Sequence, residues 1–129
     1  MDVIRRRWTS WRGRAVERLV RESLARLVPV GEVPAAPVIG GYWTRSNDVE
    51  IDIVGADRGP VAEELRFLGS VKWLENSPFD AHDLSALHKH RAAVSDLPVP
   101  LVAVSRGGFA TRGLAGAFGP EELLAAWQA

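Results

Sequence analysis

Glu50, Asp52 and Lys72 have the types and spacing to do chemistry in this 129-residue chain. The two acids alternate with Ile51 and Ile53 in the stretch 49–54, which is rich in β-branched residues and reads as a strand. Side chains alternate faces along a strand, so the spacing predicts both carboxylates on one face and both isoleucines on the other. A second stretch, 68–73, puts Ser70 and Lys72 on one face and Val71 and Trp73 opposite. If the two strands are neighbours, an acidic pair and a lysine meet on one side of a sheet. Carboxylates so placed hold a divalent cation, and a lysine steadies charge on a transferring phosphoryl group. Such a set of groups could serve metal-dependent phosphodiester chemistry. Without chemistry, the same pattern is the polar face of a half-exposed strand, with Lys72 a cross-strand ion-pair partner for either acid.

A helix is expected ahead of these strands. Trp8, Trp11, Ala15, Leu19, Leu24 and Leu27 recur at helical spacing over residues 8–28, with arginines filling the other side. Gly13 inside that pattern suggests close approach of another backbone. Glu17 shares a ridge with Gly13, Val20 and Leu24, so it borders the apolar stripe and can turn toward the sheet; otherwise it pairs with Arg14 or Arg21 on its own helix. Residues 1–28 carry eight arginines against three acids, a net of +5, which leaves −5 for the rest of a chain that is neutral overall. Arg12, Arg14, Arg18 and Arg21 are candidate phosphate contacts, since guanidinium groups bind phosphate bidentately; a solvated helix face is the plainer reading.

The elements that must position these groups follow in order. A proline-punctuated connection at 29–37 leads to a strand at about 38–44, a turn at Arg45-Ser46-Asn47-Asp48, the acidic strand at about 49–55 and a third strand at 65–73. Short turns between them imply an antiparallel meander. Ser77-Pro78-Phe79-Asp80 starts a helix that ends near Val94, and residues 100–105 form a continuous apolar strand of the kind buried on both faces. Gly119-Pro120-Glu121-Glu122 opens a last short helix. The expected fold is an α/β sandwich with a mixed sheet, a single domain over 1–129.

Composition narrows the function. The chain is 47% hydrophobic and 25% charged, an ordinary globular balance. No apolar run approaches the roughly 20 residues of a membrane helix, and the N-terminus lacks the apolar segment of a secretory signal, so a cytoplasmic protein with no membrane partner is expected. The absence of cysteine excludes disulfides and thiolate metal sites. His82, His88 and His90 have spacings that do not converge on a metal, and the five tryptophans read as core or interface. No P-loop motif is present, so any ATPase activity lies outside these residues.

The order helix–strand–strand–strand–helix–strand, with an acid in the first helix, Asp52 on the second strand and Lys72 on the third, resembles the PD-(D/E)xK nuclease superfamily. Trp11-x-Gly13-x-Ala15-x-Glu17, Trp43, Glu50-Ile51-Asp52-Ile53-Val54 and Gly69-Ser70-Val71-Lys72-Trp73 resemble one branch of it. That branch is the domain of unknown function at the C-terminus of archaeal-type P-loop ATPases, found also in bacteria. The likeness spans about residues 8–110 and leaves a C-terminal helix at about 119–128 outside it. It implies a restriction-endonuclease-like core, Asp52 as the metal-binding aspartate, Lys72 as the lysine beside the attacking water, and Glu17 as the first-helix acid. Where that pattern has an acid two residues before the lysine, Ser70 stands, and a hydroxyl is a poor Mg²⁺ ligand beside carboxylates. Glu50, on the same expected face as Asp52, is the candidate substitute metal ligand. The implied function is a degenerate nuclease-fold module that binds nucleic acid or regulates an attached or partner P-loop ATPase. An active Mg²⁺-dependent DNA or RNA phosphodiesterase and a protein-interaction or dimerisation domain are the alternatives. The start at Met1 close before the first motif fits an excised C-terminal domain or a stand-alone relative, of which the excised domain is the one expected.

Overall fold

The computed structural model describes residues 16–43, 50–58 and 64–128. Arg12, Arg14, Trp8, Trp11, Gly13 and the turn at 45–48 lie outside them. Helix α1 covers 16–27. It is followed by β1 (Val38–Trp43), β2 (Glu50–Ala56), β3 (Leu65–Lys72), α2 (Ala81–Val94), β4 (Leu101–Ser105), β5 (Gly116–Phe118) and α3 (Pro120–Ala125). The strands form one sheet in the order β1-β2-β3-β4-β5. β1, β2 and β3 are a meander of antiparallel neighbours, whereas β3–β4 and β4–β5 are parallel. This is the expected mixed sheet, with α2 making the crossover that a parallel neighbour requires.

Both faces of the sheet are covered. Val20 and Leu24 of α1 pack with Ile53, Phe67, Val102 and Val104 on one face. Leu87 of α2 packs with Ile51, Leu68, Phe79, Leu101 and Ala103 on the other. β4 supplies side chains to both clusters, and all five of its residues are buried, which is why its sequence is apolar without alternation. Close packing also dictates Gly55: a Cβ there would lie 2.4 Å from the Phe67 ring.

Three expectations are corrected. On α1, Leu24 of the expected stripe is buried and Leu27 packs on the same cluster, but Val20 takes the place of Leu19, which is 53% exposed. The apolar face is shifted toward Val20, so that Ser23 is fully buried and donates its hydroxyl to the Leu19 carbonyl at 2.7 Å. β5 was not expected at all. It has three residues, Gly-Ala-Phe, with no β-branched side chain and too few positions for a period to register. Thirdly, Ile51 and Ile53 do not share a face. Between the pairs Gly40–Val54 and Tyr42–Ile51, β1 advances two residues and β2 advances three. The extra residue is a β-bulge, and it re-aims the side chains on either side of it.

Candidate functional site

That bulge sits at Asp52 and Ile53, in the segment that carries the candidate acids. Beyond it the β2–β3 ladder ends at the pair Ile53–Gly69. The Asp52 carboxylate takes over where the backbone ladder stops: Oδ2 accepts the Val71 N–H at 2.8 Å and lies 3.5 Å from Ser70 Oγ. At the same irregularity the Asp52 carbonyl accepts from Arg21 Nη1 at 3.2 Å. Gly41 gives the guanidinium room, because a Cβ there would come within 3.3 Å of Nη1. Asp52 thus joins β2, β3 and α1.

Burial raises the Asp52 carboxyl pKa above its ordinary 3.8; the Val71 N–H pulls the other way, and the nearby Glu50 charge adds to the rise. Ser70 and Arg21 offset part of it. Glu50, Asp52 and Ser70 line a pocket of about 200 Å³ together with Asp83, Ala86, Leu87 and His90 from α2. The two strand acids therefore face the helix that follows β3.

Lys72 has a different partner from either strand acid. Its Nζ lies 2.6 Å from Asp83 Oδ2, and both side chains are mostly covered. Asp83 is held from a second direction. The Asp80 carboxylate caps the Asp83 N–H at 3.0 Å, and Asp83 Oδ2 accepts the Asp80 N–H at 3.0 Å, a reciprocal capping box at the start of α2. Burial alone would raise the Asp83 carboxyl, but the Lys72 hydrogen bond and the Asp80 contacts outweigh it, and the group is held below 3.8. Sequence reading missed Asp83. The capping-box spacing from Asp80 was visible, but the ion pair depends on the crossover that brings α2 back over β3.

Glu17 lies half-buried on α1, its carboxylate 3.9 Å from Arg21 Nη1. It meets Asp52 through Arg21 rather than directly, because that one guanidinium nitrogen serves both. Arg21 is thereby engaged inward, whereas Arg18 is 80% exposed and 3.8 Å from Glu22. Near the end of α1, Arg26 stacks 3.6 Å above the Trp127 ring. Of the histidines, His90 lines the pocket and His88 Nδ1 lies 3.0 Å from an Arg91 guanidinium nitrogen.

Among the described residues, no three His, Asp or Glu side chains are arranged to hold a metal ion. The chemistry of the donors agrees: Asp52 has an oxygen on the Val71 amide, Asp83 is neutralised by Lys72, and Ser70 offers only a hydroxyl. Also among the described residues, no helix is long and apolar enough to cross a membrane.

The class defined so far is an α/β domain with a five-stranded mixed sheet and an acid-lined pocket between that sheet and α2. The chain belongs to a family described as archaeal and bacterial proteins of unknown function, whose model matches residues 1–84. The matched part runs through β3 into the first turn of α2, so it contains Glu17, Glu50, Asp52, Ser70, Lys72 and Asp83. No curated protein and no solved structure gives a match.

Proposed function

We propose that this chain is a degenerate PD-(D/E)xK nuclease-fold domain, one that binds nucleic acid or regulates an associated P-loop ATPase without cleaving. The order α1-β1-β2-β3-α2-β4, with β1 to β3 antiparallel and β4 parallel to β3, suits such a core. One observation carries the loss of cleavage. At the position of the missing acid, the Ser70 hydroxyl lies beside Asp52, whose carboxylate bonds the β3 backbone. A hydroxyl at that position is a weak substitute for an acid that would share a cation with Asp52.

The test is nicking of supercoiled DNA in Mg²⁺ or Mn²⁺. The protein leaves the DNA intact under this reading. Divalent-metal-dependent nicking that disappears in Asp52→Asn would instead favour an active phosphodiesterase in which Glu50, whose charge is felt at Asp52, supplies the second acid.

A further inference from the structure

We infer that Asp83 is a positioning residue that holds Lys72 out of the pocket, so that the pocket presents carboxylates and turns anions away. The inference rests on the degenerate-site reading and adds the device that withholds the lysine. Asp83 lines the pocket together with Glu50, Asp52 and Ser70, whereas Lys72 is not among the lining residues. The lysine ammonium ends on Asp83 Oδ2 at 2.6 Å. The cation is thus bound to a residue that lines the pocket without lining it itself.

The arrangement is rigid on both sides. Lys72 is the last residue of β3, paired in register with Ser105 of β4, and its carbonyl accepts the Arg106 N–H at 3.1 Å. Asp83 is fixed in the first turn of α2 by the reciprocal bonds with Asp80. The same oxygen, Oδ2, receives both the lysine and the Asp80 N–H, so cap and ion pair share one carboxylate. With Lys72 neutralised, the groups facing the pocket are Glu50, Asp52 and Asp83, with His90 beside them. A phosphate entering would meet the carboxylates of Glu50 and Asp52, and among the described residues no lysine or arginine lines the pocket.

Four variants and one labelling experiment decide it. Asp83→Asn keeps an acceptor for the Asp80 N–H but removes the charge that holds the lysine. With inorganic phosphate as the probe in calorimetry, Asp83→Asn should bind at least tenfold tighter than the parent. Asp83→Glu should behave as the parent, and the Asp83→Asn/Lys72→Met double variant should lose the gain. A gain that survives in the double variant, or no gain in a natively folded Asp83→Asn, overturns the inference. So does a parent whose phosphate affinity falls tenfold on Lys72→Met.

The parent protein supplies an independent readout, because Lys72 and Lys89 are the chain's lysines and Lys89 is exposed. An amine-acylating reagent followed by mass spectrometry should modify Lys72 at least tenfold more slowly than Lys89. Equal rates overturn the inference even if Asp83→Asn fails to fold. None of these outcomes depends on DNA cleavage, so this inference and the degenerate-site reading can fail separately.

Discussion

Asp52 and Asp83 sit close to the same pocket, and their surroundings act on them in opposite senses. Asp52 is raised, chiefly by burial, above the unfolded value of 3.8, so folding disfavours its charged form. Its contribution to stability is complete below that value and is lost as pH rises through the folded pKa. At neutral pH its charge is therefore a liability. Asp52→Asn removes the charge and leaves an oxygen to accept the Val71 N–H. The variant should melt a few degrees higher at pH 7, for a gain of about 1 kcal/mol, and the gain should shrink below pH 4. Melting curves at the two pH values check this, and a lower Tm at pH 7 contradicts it. Asp83 is lowered, so its contribution is present above 3.8 and is lost as pH falls through its folded value. Asp83→Ala removes the partner of a mostly covered Lys72 and half of a capping box. It should be destabilised by about 1–3 kcal/mol at pH 7, read as a lower denaturant midpoint with unchanged slope.

At the scale of elements, α1 is fastened to the rest of the domain by polar contacts as well as by Val20 and Leu24. Arg21 bonds the Asp52 carbonyl, and the Trp127 indole N–H donates to the buried Ser23 hydroxyl at 2.8 Å while its ring lies under Arg26. Ser23 and Trp127 are 104 residues apart, so this clasp joins α1 to the chain just past α3. Trp127→Ala should cost about 1–3 kcal/mol in chemical unfolding, from the lost bond, the lost cation–π contact and the uncovered area. A variant as stable as the parent would show the clasp to be inert. Such long-range contacts explain what sequence could carry. The meander, the uniformly apolar β4 and the Asp80 cap of α2 follow from local patterns, so their bounds fell within two residues of expectation. The bulge in β2 depends on pairing with β1, the apolar face of α1 on the surface it covers, and β5 on the parallel neighbour that gives three weak residues a strand conformation. The same limit applied to the site. The spacing of Asp52, Ser70 and Lys72 was legible, but the Lys72–Asp83 pair required knowing how α2 returns over β3.

For the whole molecule, the question is whether the uneven charge serves nucleic acid. Exposed Arg18 remains a candidate phosphate contact, whereas Arg21 is turned toward Glu17 and Asp52. If the arginine-rich N-terminal part binds DNA, log affinity should fall linearly with log salt. Arg18→Glu should then weaken binding to all sequences alike and reduce the magnitude of the slope by about 1. Binding that ignores salt between 50 and 200 mM, on the order of the range in which phosphate contacts are lost, would count against a nucleic-acid role. The central proposal, however, is that Ser70 stands where a nuclease site would have an acid, and titrating Mn²⁺ by calorimetry into the parent, Ser70→Glu and Ser70→Glu/Asp52→Asn tests it most directly. Ser70 Oγ lies 3.5 Å from Asp52 Oδ2, so glutamate at that position brings a second carboxylate to the first. The account predicts weak or no saturable binding by the parent, binding at least tenfold tighter by Ser70→Glu, and loss of that gain in the double variant. Tight binding by the parent, or no change on Ser70→Glu, would contradict it.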